Sequence, residues 1–224
     1  MSGNDIKMTI IRLALLGDGA VGKTSIINRF MNLEFREEFI STIGWDKMTT
    51  KVKLENGEEM KLSIWDTAGQ ERFHASAFKV VRKSQGIALV FDLTQKKTFD
   101  GIANWLEVIK DNFNNVSIVL LGNKCDCKEK REVTEEDTKK MIERFKLPYF
   151  ETSAKENINI TEAIQKLAND VYKKANKSID GIILKKIRKK MIMVAVEVGK
   201  VNKMIKKQKR PKNKIYTILT NIVF

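Results

Sequence analysis

Residues 17–24 form the first segment whose residue types and spacing could do chemistry. They read GDGAVGKT and fit the pattern G-x-x-x-x-G-K-[ST]. Glycines allow the backbone to curl so that its N–H groups point at phosphate oxygens, and a following helix N-terminus adds positive potential. Lys23 would then reach the β- and γ-phosphates, and the Thr24 hydroxyl would bind Mg²⁺. A glycine turn with an incidental lysine is the alternative interpretation.

A second polar loop, residues 65–71, follows an apolar strand pattern and reads WDTAGQE. The carboxylate of Asp66, at the end of that strand, could hold a metal ion through water, and the N–H of Gly69 could bind a γ-phosphate. Taken alone, this loop could also be only a turn.

A third polar loop, Asn123-Lys124-Cys125-Asp126, again follows an apolar run directly. The carboxylate of Asp126 can accept hydrogen bonds from both N1–H and the 2-amino group of guanine, a pair of donors that adenine does not offer in this arrangement. Its position about a hundred residues after the glycine loop favours a guanine-binding role over a simple turn at a strand end.

The elements that must position these loops alternate along the chain. Strand patterns cover residues 8–16, 86–91, 116–121 and 149–151, and helix patterns cover 23–31, 98–110, 134–145 and 161–174. Two further alternating runs flank Asn56-Gly57, which predicts a hairpin. This order predicts a mainly parallel sheet with one antiparallel edge strand and helices on both faces. In such sheets ligands bind at the carboxyl ends of the strands, where all three polar loops occur.

The positive charge of the chain belongs to its C-terminal part. The whole sequence contains 42 Lys/Arg and 28 Asp/Glu, a formal charge of +14, but residues 177–224 alone contain 14 Lys/Arg and 2 Asp/Glu. Residues 1–176 are therefore nearly neutral, at +2. We expect a short N-terminal arm (1–7), one domain (8–176) and a basic C-terminal extension (177–224).

The cysteines and the N-terminus favour a cytoplasmic protein. Cys125 and Cys127 lie too close together for an ordinary structural disulfide, so reduced thiols are expected. Residues 1–8 contain no apolar segment that could act as a signal, and no run reaches the roughly 18 apolar residues of a membrane span.

Five segments together resemble the nucleotide-binding motifs of one family. GDGAVGKT, STIG, WDTAGQERF, GNKCD and ETSAK, in this order and spacing, are similar to those of the Ras-superfamily small GTPases, and KLSIWDTAGQERF is especially similar to Rab proteins. The resemblance covers residues 8–174. It implies a P-loop NTPase G domain with a six-stranded sheet and about five helices. It also implies that the chain binds GTP or GDP together with Mg²⁺.

The resemblance also assigns roles to individual positions. Gly19 matches the glycine that leaves room for the transition state, Phe35 the aromatic that stacks on guanine, and Gln70 the glutamine that orients the attacking water. Catalytic roles fall on Gln70, Lys23, Thr42 and Gly69, and metal binding on Thr24, Thr42 and Asp66. The nucleotide-contacting positions are Gly17, Asp18, Gly19, Ala20, Val21, Gly22, Lys23, Thr24, Ser25, Phe35, Thr42, Gly69, Asn123, Lys124, Asp126, Ser153, Ala154 and Lys155.

These roles imply a monomeric switch that hydrolyses GTP to GDP and phosphate. No arginine is placed by family precedent to act in cis, so slow intrinsic turnover is expected, with an activating protein, an exchange factor and effectors as partners. The resemblance implies a part in vesicle traffic, in the cytoplasm or peripherally on the cytosolic face of endomembranes. Two alternatives stay open: a nucleotide-loaded binding module that does not cycle, and a signalling GTPase outside the Rab branch.

The sequence departs from the Rab pattern at the positions that commonly meet effectors. Of three aromatic residues that Rab proteins group there, only Trp65 is present, with Lys47 and Val80 at the other two positions. Trp45 is a further departure, and either packing or an effector contact would explain it. Partner choice therefore cannot be transferred from any particular Rab.

The C-terminal extension departs as well, because residues 128–224 contain no cysteine that could carry a thioether-linked lipid. It contains apolar residues at helical spacing among many lysines: Ile183, Ile187, Met191, Val194 and Val198. Such a segment can bind an anionic membrane reversibly. A solvated basic extension and a protein-binding segment are the alternatives, and nucleic acid as the main target is disfavoured.

Overall fold

The computed structural model describes residues 10–33, 42, 45–67, 82–113 and 115–207. The chain divides into two compact units, Met1–Asn176 and Lys177–Phe224. The first unit contains the sheet and the three polar loops. The second is represented by the C-terminal part of one long helix.

A six-stranded sheet forms the centre of the first unit, in the order β2-β3-β1-β4-β5-β6. Every neighbouring pair is parallel except β2 and β3, which are antiparallel and place β2 at the edge. The predicted fold class is therefore confirmed. The strands are β1 (Ile10–Leu16), β2 (Trp45–Lys53), β3 (Glu59–Thr67), β4 (Gly86–Asp92), β5 (Ser117–Asn123) and β6 (Tyr149–Thr152).

The β2–β3 hairpin turns where the sequence predicted. Lys53 pairs with Glu59 at its end, and residues 54–58 connect the strands. Gly57 has φ 83°, a left-handed conformation that favours glycine, and its N–H donates to the Leu54 carbonyl over 2.9 Å. The connection is thus longer than a two-residue turn at Asn56-Gly57, although it is built around that pair.

The described part of the chain has five α-helices. They are α1 (Lys23–Phe30), α2 (Lys96–Asp100), α3 (Ile102–Asn112), α4 (Glu135–Phe145) and α5 (Ile160–Lys207). The single helix predicted over residues 98–110 is in fact two, separated at Gly101. Helix α4 begins with a capping box, in which the Thr134 hydroxyl accepts from the Asp137 N–H and the Asp137 carboxylate accepts from the Thr134 N–H.

The last helix was predicted to end at Lys174, and this was wrong, because α5 continues to Lys207. Many of the residues after 174 are good helix formers and none before the helix ends is proline, and the helix continues through Gly181 and Gly199. No described helix is long and apolar enough to cross a membrane.

Alternation along the central strands divides the core between the two faces of the sheet. On β1, Ile11, Leu13 and Leu15 pack with α1 and the first part of α5, whereas Ala14 and Leu16 pack with α3 and α4. All seven residues of β4 are buried. Because both faces of these central strands are covered, a ligand can reach them at their ends, and the three polar loops lie at the carboxyl ends.

Candidate nucleotide-binding site

The loop between β1 and α1 depends on two of its glycines for steric reasons. Gly17 has φ 139° and Gly22 has φ 96°, both in the region that favours glycine. A Cβ atom added to Gly17 would lie 2.1 Å from the Val90 carbonyl oxygen, and one added to Gly22 would lie 2.3 Å from Asn123 Nδ2. The loop therefore packs directly against β4 and against the residue that ends β5.

Gly19 differs from these two glycines, since a Cβ atom added there would meet nothing within 4 Å among the described residues. The residue is exposed at the middle of the loop. No described neighbour explains the glycine, so the space beside it is open to a ligand.

The ammonium group of Lys23 lies inside the curve of this loop. It donates to the carbonyl oxygens of Gly17, over 2.9 Å, and Asp18, over 3.0 Å, and the residue is only 5% exposed. A buried cation is costly unless it has polar partners. The loop carbonyls hold this positive charge at the start of α1, where the helix dipole is also positive, and the combination is suited to an anion.

Three side-chain groups with oxygen atoms meet just beyond Lys23. The Thr24 hydroxyl donates to Asp66 Oδ2 over 2.7 Å, and Thr24 Oγ1 lies 2.9 Å from Thr42 Oγ1. Because the single Thr24 hydroxyl hydrogen is directed at Asp66, Thr42 is the donor in the second contact. Asp66 is 2% exposed, and burial raises the pKa of its carboxyl group against the opposing effects of Thr24 and Lys23.

This oxygen cluster has the chemistry of a site for a small divalent cation. Mg²⁺ prefers oxygen ligands, and a carboxylate and two hydroxyls converge here. Asp66 Oδ1 is buried and has no hydrogen-bond partner among the described residues, which leaves acceptor capacity unused in a place where it is costly. The residues present therefore fit the cation.

The loop after β5 is tied to the loop after β1. Asn123 is 2% exposed, and its Nδ2 donates to the Val21 carbonyl over 2.8 Å. The Thr152 hydroxyl, at the end of β6, donates to Asn123 Oδ1 over 3.3 Å. The Asn123 side chain thus joins the end of β5 to the loop after β1 and to the end of β6.

Lys124 and Asp126 follow in the same loop, and each has its own polar partners. Lys124 has φ 66°, and its ammonium lies 2.6 Å from the carboxylate of Asp92 at the end of β4. Burial raises the pKa of Asp126, but hydrogen bonds from Ser153 and from the Cys127 thiol outweigh it, and the net shift is downward. The Asp126 carboxylate is therefore kept ionised as an acceptor.

An arginine of α1 holds the backbone of residues 153–155 by hydrogen bonds. Arg29 Nε donates to the Ala154 carbonyl and Arg29 Nη2 to the Lys155 carbonyl, each over 2.9 Å. The side chains of Ser153 and Ala154 are buried, with at most 4% exposed. Arg29 was not among the predicted residues, and no local sequence signal could have identified it, because its partners lie about 125 positions further along the chain.

Comparison with known proteins decides the family of this arrangement. The model of the Ras family matches residues 12–173. The chain is 43% identical to the Ras-related protein Rab-13 of Rattus norvegicus over 166 residues, 74% of this chain and 81% of that protein. It is 42% identical to Rab-8A of Bos taurus over 173 residues, 77% of this chain and 83% of that protein.

The chain belongs to the Ras family. Within the family it is a Rab-type small GTPase, a hydrolase of GTP, and the family binds guanine nucleotides and acts with regulatory proteins. The GTPase has all five predicted motifs in sequence, and the described parts of those motifs meet at one edge of its sheet.

Two residues by which this Rab GTPase departs from the Rab pattern, Trp45 and Lys47, lie around Trp65, at the β2–β3 edge of the sheet. Trp45 packs edge-on against Trp65, with ring centroids 5.1 Å apart, and is still 47% exposed. Lys47 pairs with Trp65 in the β2–β3 register and places Nζ 5.4 Å from the centroid of its ring. Trp45 therefore packs and stays accessible at the same time, so both interpretations of it remain compatible with its position.

Most residues predicted for the GTPase site are brought together. The first loop lies beside Thr42 and Asp66, and Ser25 follows it half-buried in α1. Asn123 connects this loop to residues 123–126 and 153–155. Three predicted residues, Phe35, Gly69 and Gln70, lie outside the described residues, as does Val80. Their roles remain predictions.

Proposed function

We propose that this Rab GTPase is a GTP/GDP switch in vesicle traffic, with the nucleotide bound at the carboxyl ends of β1, β3, β5 and β6. The hydrogen bond from Thr24 to Asp66 supports this proposal best. It joins the loop of residues 17–24, which would bind the phosphates, to the carboxylate that would bind the cation. The amides of residues 17–25 and the Lys23 ammonium would bind the phosphates. Asp126 would accept from guanine, and residues 153–155 would line the base.

Magnesium is part of the proposal. Thr24 and Thr42 would hold it through their hydroxyls and Asp66 through its carboxylate, and the ion would supply neutralisation of the phosphate charge. Lys23 adds a second positive charge in a place that excludes water, where electrostatic stabilisation is strongest. Gln70 and Gly69 are proposed to orient the attacking water and to bind the γ-phosphate.

Switching would follow from the loss of the γ-phosphate. Thr42 and Gly69 would lose a partner on hydrolysis, so the segments that contain them would change conformation and an effector surface would be lost. The accessible Trp45 and the neighbouring Lys47 belong to the edge strand that follows Thr42 in the chain. We propose that they help to choose the effectors of this chain.

Single-turnover hydrolysis of bound GTP tests the switch. The wild-type protein is expected to release phosphate slowly, and Gln70→Leu to release it at least about 10-fold more slowly, because the water is no longer oriented. Gln95→Leu, which makes the same change at an exposed residue of the described chain, serves as the matched control and should behave as wild type. Absence of phosphate release from wild type over hours, with no difference from Gln70→Leu, would support the non-cycling module instead.

The traffic role needs a test in cells. Gln70→Leu should favour the GTP state, and Thr24→Asn should favour the GDP state because it removes a hydroxyl from the oxygen cluster. We expect a fluorescent fusion of the first variant on vesicle membranes and of the second mainly in the cytosol. The same diffuse distribution for both would contradict a traffic role and would favour signalling elsewhere.

We also propose that residues 177–224 form a separate basic extension that contacts anionic phospholipid. In the described part of this extension, Leu184, Ile187, Met191, Val194 and Val198 are all about half exposed or more, from 48% to 68%. Their spacing of three and four residues puts them on one side of α5. A continuous apolar stripe on a lysine-rich helix suits the interface of an anionic bilayer, where each Lys or Arg adds about 1 kcal/mol. Ile192, Met193 and Val196 are also exposed, on the other side of the helix, and do not form such a stripe.

Two valines provide a matched test of this contact. Val194 and Val196 are 52% and 51% exposed, but two residues of a helix lie about 200° apart, so only Val194 belongs to the apolar side. Val194→Glu should weaken sedimentation with phosphatidylserine-containing vesicles far more than Val196→Glu, although both change the charge equally. Equal effects, or wild-type binding that is the same on phosphatidylcholine alone, would contradict the proposed contact.

A further inference from the structure

The loop of residues 17–24 is hydrogen-bonded to α3, a helix that contains none of the five sequence motifs. Trp105, in the first turn of α3, donates from its indole Nε1 to Asp18 Oδ1 over 3.0 Å. The ring is 1% exposed and belongs to the apolar cluster that includes Phe91 and Ile109. A rigidly packed side chain therefore reaches from the core to the second residue of the loop.

Asp18 is consequently held at two points. Its carbonyl oxygen accepts from the Lys23 ammonium over 3.0 Å, while its carboxylate accepts from Trp105. The other carboxylate oxygen lies near the start of α3, 3.6 Å from the position that a Cβ on Gly101 would take. The N-terminus of a helix stabilises negative charge, so both the indole and the helix favour this position of the carboxylate.

We propose that Trp105 is a positioning residue for the bound nucleotide. By holding the Asp18 carboxylate against α3, it fixes the curve of the loop whose amides would bind the phosphates. An untethered loop would have to be ordered whenever nucleotide binds, at a cost in conformational entropy. This inference rests on the proposed binding of nucleotide at residues 17–25.

Nucleotide release is the quantity that this contact controls. In Trp105→Phe the aromatic ring and its packing are largely kept, but the N–H donor is lost. A charge-assisted hydrogen bond that positions a ligand corresponds to a rate change on the order of 10-fold. We therefore expect GDP to leave Trp105→Phe about 10-fold faster than wild type, measured with a fluorescent GDP analogue in the presence of Mg²⁺.

A merely structural role for Trp105 is distinguished by a double-mutant cycle with Asp18. Asp18→Ala removes the acceptor on a half-buried loop residue and should raise GDP release by itself. If the contact is responsible, adding Trp105→Phe to Asp18→Ala should change the release rate less than about 2-fold, since the two single effects share one interaction. Ile109→Val, in the same helix and apolar cluster, removes a methylene without touching the loop and should leave GDP release unchanged.

Two results would overturn the inference. One is a release rate in Trp105→Phe and in Asp18→Ala within about 2-fold of wild type. The other is an equally large effect of Trp105→Phe with and without Asp18. Failure of the proposed nucleotide site would look different, because wild-type protein would then take up no GDP and there would be no rate to compare. Should Trp105→Phe not fold, the Asp18→Ala rate alone decides, with a wild-type value contradicting the inference.

Discussion

The ammonium group of Lys124 lies 2.6 Å from the carboxylate of Asp92, a residue with no exposed surface. The other carboxylate oxygen of Asp92 accepts from the N–H and the hydroxyl of Thr94, over 2.8 and 2.7 Å. Asp92 is therefore held by Thr94 as well as by Lys124, and the end of β4 sets the position of a lysine in the loop proposed to bind guanine.

We predict that Asp92→Asn weakens guanine nucleotide binding. The amide introduced by this substitution would keep its oxygen for Thr94 and turn an N–H₂ donor toward the Lys124 ammonium, which cannot accept. Loss of this ion pair to a fully buried carboxylate should cost on the order of 1.5–3 kcal/mol, so GDP should dissociate about 10-fold faster or more. Asp170→Asn, which breaks the Lys166–Asp170 ion pair in α5, is the matched control and should have no effect on GDP release. An unchanged rate in Asp92→Asn would show that Lys124 does not depend on this partner.

Base recognition gives a second prediction. Asp126→Asn should weaken GTP binding and increase binding of xanthosine triphosphate, because the amide donates where the carboxylate accepted and xanthine has a carbonyl where guanine has an amino group. Competition of the two triphosphates against a labelled nucleotide measures the change. Asp100→Asn, at an exposed residue of α2, should keep the preference for GTP. The same preference in Asp126→Asn as in wild type would contradict the assignment.

Gly17 and Gly19, two of the three glycines of the first loop, should differ in how strongly alanine destabilises the fold. Gly17→Ala places a Cβ atom 2.1 Å from a backbone oxygen at φ 139° and should lower the free energy of unfolding by about 3 kcal/mol. Gly19→Ala meets nothing within 4 Å among the described residues and should change it by less than about 0.5 kcal/mol. Hydrolysis should nonetheless slow in Gly19→Ala, because the added methyl occupies the space proposed for the transition state. Thermal unfolding and single-turnover kinetics of the two variants measure both effects, and equal destabilisation would contradict the loop geometry.

The order of the elements was predictable because the signals for it are local. Alternation marks β2 and β3, the Asn-Gly pair marks their turn, and the glycine pattern with a following helix marks the first loop. The carboxyl ends of parallel strands then place the loops together without any knowledge of side-chain packing. This explains why the fold class, and the meeting of the three polar loops at one edge of the sheet, follow from the sequence alone.

The contacts that hold the loops were not predictable from local signals. Asp92, Trp105 and Arg29 each reach a site residue from another element, and two of the contacts join residues 87 and 125 positions apart. Each depends on how helices pack on the sheet, which residue types alone do not specify. The length of α5 was missed for a related reason, since the family resemblance ends near residue 174 while helix-forming composition continues beyond it.

The pH dependence of stability provides a prediction away from the site. The ion pair with Lys96, 2.5 Å long, and the hydrogen bonds with Thr134 lower the pKa of Asp137 from 3.8 to about 2. A carboxyl group with a lowered pKa in the folded state stabilises the fold above its unfolded pKa, and this contribution is lost as pH falls from about 4 toward 2. Asp137→Asn should therefore lower the Tm at neutral pH, and its difference from wild type should shrink below about pH 4.

The control for this pH experiment is the neighbouring exposed ion pair of Glu136 and Lys140. Glu136→Gln should change the Tm little at any pH, because pairs of this kind contribute little in water. A difference between wild type and Asp137→Asn that is the same at all pH values would contradict the assigned ion pair.

The central claim is that the carboxyl ends of the strands bind guanine nucleotide, and the most direct measurement is the nucleotide content of the purified full-length protein. Denaturation followed by chromatography should release GDP or GTP in stoichiometric amount, and protein stripped with a chelator should take up GDP again when Mg²⁺ is restored, in competition with GTP but not with ATP. Protein that carries neither nucleotide and takes up neither at micromolar concentrations in the presence of Mg²⁺ would contradict the account.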